Sequence, residues 1–127
     1  MVEEEYFPLK NESHTIIGIC MEIHRLLGKG LLEIVYKDAI EYELKIKSIR
    51  YEREKEYGVT YKDIILPHKF YADFVVYDSI ILEIKAQKNL ADEHYAQIYN
   101  YLKISKCKVG LVMNFGEPSL KFKRIIL

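Results

Sequence analysis

The run Ile80-Ile81-Leu82-Glu83-Ile84-Lys85 constrains the fold more than any other part of the chain. It reads as a strand, entered through a hairpin turn at Asp78-Ser79. Alternation along a strand puts Glu83 and Lys85, two residues apart, on one face. Asp73 lies in the apolar stretch just before, at about 72–77. If that stretch pairs beside 80–85, two carboxylates and an ammonium converge on one spot. Such a spot suits a divalent cation and the activation of a water molecule. The apolar frame of Ile80, Ile81, Leu82, Ile84 and Ala86 adds weight, because desolvating charge there is costly without a purpose. The alternative is a cross-strand salt bridge at a sheet edge, joining Asp73 or Glu83 to Lys85. An isolated E-x-K is common.

The rest of the chain supplies helices to cover a sheet. Ile16, Ile17, Ile19, Cys20, Ile23, Leu26 and Leu27 have helical spacing over 13–28, with Ser13 as the expected N-cap. Gly28 and Gly30 break the pattern. A second helix is expected from about Leu32 to Lys47, with Val35, Ala39, Ile40, Leu44 and Ile46 inward. Three strand-like stretches follow at 49–60, 64–70 and 72–77, interrupted at Asp63 and at Pro67-His68. After the strand 80–85, a helix runs from Asn89–Asp92 to about Ser105. Two strands close the chain, at Val109–Met113 and Leu120–Ile126. This order predicts one mixed sheet with helices packed on it.

Composition narrows the class. A chain of 127 residues fits one domain, 1–127. Half of it is apolar and 30% is charged, so it is expected to fold and stay soluble. Lys+Arg and Asp+Glu both number 19. That balance argues against tight non-specific nucleic-acid binding, which needs a positive field. Locally the balance breaks. The N-terminal segment 1–12 is acidic, with Glu3, Glu4, Glu5 and Glu12 against Lys10. Residues 103–127 carry Lys103, Lys106, Lys108, Lys121, Lys123 and Arg124 against Glu117, either a basic patch or solvated lysines. Eleven Tyr without Trp serve as core filler or as a stacking surface. Cys20 and Cys107 have no metal-ligand spacing, and Cys20 reads as a buried thiol. With no signal peptide and no apolar run of membrane-spanning length, the expectation is a cytoplasmic protein away from membranes.

Three groups of residues are candidates for chemistry. Mg²⁺ and Mn²⁺ prefer oxygen ligands in octahedral geometry. Asp73 and Glu83 offer carboxylates, and the Ile84 carbonyl between Glu83 and Lys85 offers a further oxygen. Lys85 would then stabilise an emerging hydroxide or the charge on a phosphate. Glu33, with Gly30 before it and Tyr36 after it, sits in the first turn of a helix. There it is either a dipole-favoured carboxylate paired i,i+4 with Lys37, or a residue turned with Tyr36 toward the sheet. His94, Gln97 and Tyr101 form one polar helix stripe that either reaches a lysine or phosphate or is simply solvated.

Gly30, Glu33 and Tyr36 match the signature that names the GxxExxY family. Asp73 with Glu83-Ile84-Lys85 resembles the PD-(D/E)xK nuclease signature, with Ala72 in place of its proline. Gln97-x-x-x-Tyr101 is similar to the Q-x-x-x-Y motif of recombination-type exonucleases in that superfamily. Tyr101-Leu102 and Gly110–Gly116 also look like this family, so the resemblance runs from about Ile16 to Ile126. It implies an α/β, restriction-endonuclease-like core, with a mixed central sheet of about four strands flanked by helices. It implies catalytic Asp73, Glu83 and Lys85, with Glu33 joining the carboxylates around Mg²⁺ or Mn²⁺. Gln97 and Tyr101 become supporting residues, and Tyr36 and His94 candidate substrate contacts. The implied activity is hydrolysis of nucleic acid, DNA before RNA. A chain this small has little surface for a duplex, so a homodimer is a candidate state. A non-catalytic module that keeps the fold to bind nucleic acid or protein is the alternative function.

Overall fold

The computed structural model describes residues 7–127, so Glu3, Glu4 and Glu5 of the acidic segment lie outside the described residues. Helix α1 (Lys10–Leu27) buries Ile16, Ile19, Cys20 and Ile23, a stripe at i, i+3, i+4 and i+7. It begins earlier than expected. Leu9, not Ser13, stands at the N-cap, and the buried Ser13 hydroxyl finds no partner among the described residues. Gly28 (φ 68°) and Gly30 (φ 100°) turn the chain out of α1 in conformations that side-chain-bearing residues avoid. Helix α2 (Glu33–Ile46) buries Tyr36, Ile40 and Leu44. Val35 and Ile46, expected inward, are exposed, because a stripe stepping by four from Tyr36 leaves both off its face.

The three strand-like stretches at 49–77 form two long strands, β1 (Tyr51–Tyr61) and β2 (Ile64–Val76). Pro67 and His68 do not end a strand. Pairing jumps from Gly58↔Lys69 to Thr60↔Ile65, so both fall in a bulge where no ladder bond is asked of proline. Tyr77 and Asp78, both at positive φ, make the tight turn into β3 (Ile80–Lys85). Helix α3 (Asp92–Ser105) then crosses over to β4 (Val109–Asn114), and β5 (Lys121–Ile126) closes the sheet.

Among the described residues the sheet has five strands in the order β1-β2-β3-β4-β5. Only β3 and β4 run parallel; the other neighbours are antiparallel. Helices α1 and α2 cover one face, against Phe74, Val76, Ile80, Leu82, Ile84, Leu111 and Phe115. Ile98, Tyr101 and Leu102 of α3 cover the other, against Val75, Ile81 and Val112. β3 is thus buried on both sides, which accounts for its unbroken apolar run. Lys121 and Lys123, from the C-terminal basic run, stand exposed on edge strand β5, where charge discourages edge-to-edge pairing. No helix among the described residues is long and apolar enough to cross a membrane.

Candidate active site

β2 and β3 pair only from Phe74↔Leu82 to Val76↔Ile80. The next rung would set Asp73 opposite Glu83, and there the backbone ladder gives way to side chains. The Ile84 N–H donates to Asp73 Oδ2 at 2.8 Å, and the Asp73 N–H donates to Glu83 Oε2 at 3.2 Å. Side-chain alternation along β2 inverts at the same place. Phe74 packs toward α1 and α2, while Ala72, two residues away, packs toward α3. On β1, Glu54 lies between the Arg53↔Phe74 and Lys55↔Ala72 pairs and has φ 53°. That conformation costs a non-glycine residue on the order of 1 kcal/mol, and such strain concentrates at functional positions.

The electrostatics of this break are unusual. Glu83 is only 4% exposed. Burial, and then the adjacent Asp73 charge, push its carboxyl well above the usual carboxylate range. The two carboxylates therefore call for a shared proton or a cation. Lys37, reaching over from α2, supplies one positive charge. Its Nζ donates to Asp73 Oδ1 at 3.1 Å and is also ion-paired with Glu54. Burial opposes the charge on Lys37, yet Glu54 and Asp73 outweigh it and raise its pKa. Lys85 turns to α3, where its Nζ donates to Gln97 Oε1 at 3.3 Å. Tyr101, 7% exposed, packs edge-on against Phe70. Burial, followed by the charges of Glu83, Asp73 and Glu54, pushes its hydroxyl up to about 12, so it remains a proton donor.

The fold thus gathers Asp73, Glu83, Lys85, Gln97 and Tyr101 around one end of β3. Asp73 is bridged by Lys37, so the cross-strand bridge to Lys85 is not the arrangement that forms. Glu33 lies one turn before Lys37 on α2, half-buried. It does not complete a ready-made cluster, since no three acidic, His or Cys side chains group for a metal among the described residues. Tyr36, a candidate substrate contact, lies in the core. It is wholly buried, stacked on Phe115 at 4.4 Å between ring centroids, and its hydroxyl donates to the Gly28 carbonyl at 2.6 Å. Its hydroxyl fastens the α1–α2 turn to the core. His94 is engaged through Nδ1, which accepts the Ala91 N–H at 2.9 Å and closes the first turn of α3. Ile84 is buried, with its N–H spent on Asp73. Lys37 and Glu54 were missed as site residues, and no local spacing marks them.

The donor set suits a hard divalent ion. Two carboxylates on adjacent strands present oxygen ligands, and their mutual repulsion is what a cation relieves. Asp73 and Glu83 would hold it, beside the ammonium of Lys85.

The strand end that carries Lys85 is clipped to β4. The Phe115 N–H donates to the Lys85 carbonyl at 2.8 Å, and the buried Asn114 side chain bonds both backbone groups of Gln87. Gly116 makes that approach feasible, since a Cβ there would sit 2.3 Å from the Gln87 backbone nitrogen and oxygen. Gly116→Ala is therefore expected to destabilise the protein by about 1–3 kcal/mol in denaturant unfolding. An unchanged midpoint would contradict the clip.

A mixed five-stranded sheet between helices, with carboxylates and a lysine where the β2–β3 ladder breaks, defines a restriction-endonuclease-like α/β fold. The chain matches the model of the PD-(D/E)XK nuclease superfamily over residues 10–125 and belongs to that superfamily. Nucleases of this superfamily act on nucleic acid and typically use divalent metals. The solved structure of SSO0001 is similar, with a TM-score of 0.60 and 19% sequence identity over 93% of this chain. The chain spans 59% of that longer one, and the likeness shows the fold alone. None of the curated proteins matches the chain.

Proposed function

We propose that this protein is a Mg²⁺- or Mn²⁺-dependent nuclease of the GxxExxY type that hydrolyses phosphodiester bonds, in DNA before RNA. The observation that carries this reading is the placement of Lys85 beside the Asp73–Glu83 pair at a point where the ladder is broken. The bound ion would supply Lewis-acid polarisation of the scissile phosphate and of the attacking water. Asp73 and Glu83 would hold it; one oxygen of each carboxylate already accepts a backbone N–H. Lys85 stabilises the charge that builds on the phosphate, and Gln97 fixes the direction of its ammonium. Tyr101 keeps its proton and is a donor to a phosphate oxygen or to the carboxylates. Gly30, Glu33 and Tyr36 support the family placement, with Tyr36 in a structural role. A homodimer would double the surface offered to a duplex.

The test begins with metal. Mn²⁺ titrated into the wild type, up to millimolar concentration, is expected to fill one site. Asp73→Asn is expected to weaken that site by at least about tenfold, because it removes a charged oxygen ligand. Wild type and variant are then compared on DNA and RNA with Mg²⁺ or Mn²⁺. Metal binding unchanged in Asp73→Asn, or cleavage that survives chelation, would overturn the assignment. A second reading, a non-catalytic module, draws support from Lys37, which already neutralises Asp73 without any metal. It predicts nucleic-acid or protein binding that is indifferent to both metal and Asp73.

A further inference from the structure

Lys37 occupies the place where a second positive charge is least expected in a metal site. Its side chain is 12% exposed, and its ammonium contacts Asp73 Oδ1, an oxygen of the same carboxylate that would ligate the ion. It has a second partner, Glu54, whose side chain is 50% exposed against 18% for Asp73. Glu54, at positive φ, lies between the Arg53↔Phe74 and Lys55↔Ala72 pairs of the β1–β2 ladder, level with Asp73. One ammonium thus bridges an inner and an outer carboxylate.

We propose that Lys37 is a built-in counter-cation. It closes on Asp73 when no divalent ion is bound and is handed over to Glu54 when one is. This rests on the metal-dependent reading of the site. A divalent ion and an ammonium compete for one carboxylate, so Lys37 lowers metal affinity by the free energy of its own contact with Asp73. Glu54 offsets part of that penalty, because the displaced ammonium keeps a partner rather than being left half-buried and unpaired. Lys37 is in this sense a residue that sets metal affinity, and Glu54 a positioning residue that acts through it.

The experiment is Mn²⁺ binding, read by electron paramagnetic resonance of the free ion at fixed pH and salt. It compares the wild type, Lys37→Met, Glu54→Gln and the double variant, with circular dichroism checking the fold. Lys37→Met, which keeps the long apolar stem, is expected to bind Mn²⁺ roughly tenfold tighter. Glu54→Gln is expected to bind roughly threefold weaker, since Lys37 then has only Asp73. In the Lys37→Met background, Glu54→Gln is expected to have almost no effect. Should Lys37→Met not fold, Lys37→Gln carries the same expectation. Equal affinity in the wild type and the lysine variant overturns the proposal while leaving the metal site standing. A loss from Glu54→Gln that persists in full in the double variant also overturns it, because Glu54 would then act on the ion directly. No binding in either the wild type or the lysine variant overturns both this proposal and the metal reading beneath it.

Discussion

Lys85→Ala is expected to lower phosphodiester cleavage by about 10²–10⁴-fold, the range typical of losing a positioned group that stabilises charge or moves a proton in the transition state. The fold is expected to survive, because the lysine contributes little to it. Lys85 is the last residue of β3, only partly buried, and its described side-chain bond is a long one of 3.3 Å to Gln97. What holds the strand end is the Lys85 carbonyl, which accepts the Phe115 N–H and is retained by alanine. Stability should therefore move by less than about 1 kcal/mol. Metal binding should persist, because Asp73 and Glu83 are untouched. The combination is diagnostic: a folded, metal-binding variant with turnover cut by that factor. Equal, measurable rates in the variant and the wild type would remove Lys85 from the chemistry and with it the role proposed for its ammonium.

The parts of the site that were legible are those in which chemistry and local periodicity coincide. Glu83 and Lys85 are two apart in an apolar run, and only a strand puts them on one face and buries their neighbours. Asp73 followed from the adjacency of the next strand across a short turn. Gln97 and Tyr101 share a helical stripe, and the resemblance to a known motif gave that stripe a target. Lys37 and Glu54 were invisible for the opposite reason. Their contact joins α2 to β1, seventeen residues apart, and depends on a backbone inversion at Glu54 and Asp73 that no pattern of residue types announces. Lys37 read naturally as the helical partner of Glu33, four residues earlier, but tertiary carboxylates hold it instead. Tyr36 has a place in the core that its signature does not announce. Its place in a signature suggested a role at a substrate, yet a tyrosine can be kept for the hydroxyl that ties Gly28 and Leu31 to the core. Pro67 was read as a break because a bulge is a property of two strands in register, and one strand's sequence does not specify it.

Glu83→Gln is expected to make the metal-free protein more stable at neutral pH, even as it removes a proposed metal ligand. The sign follows from proton linkage. The Glu83 carboxyl is raised above its ordinary value of 4.5 by burial and by Asp73. Between 4.5 and that raised value the native state keeps a proton that the unfolded chain releases. The native state binds more protons there, so stability falls as pH rises. The contribution of this group is complete below 4.5 and is lost as pH climbs through the raised value. Glutamine mimics the protonated acid: its carbonyl still accepts the Asp73 N–H, and its amide can donate to the Asp73 carboxylate. The variant avoids the penalty and should gain on the order of 2 kcal/mol at pH 7, with a flatter pH profile of thermal unfolding. Mn²⁺ should reverse the order. On the proposed metal reading the wild type would be stabilised by mass action, whereas Glu83→Gln, short of one proposed ligand, would gain less. A variant less stable than wild type without metal, or one with the same slope against pH, would mean that the Asp73–Glu83 pair is relieved within the protein itself. Its repulsion would then be no force drawing in a cation.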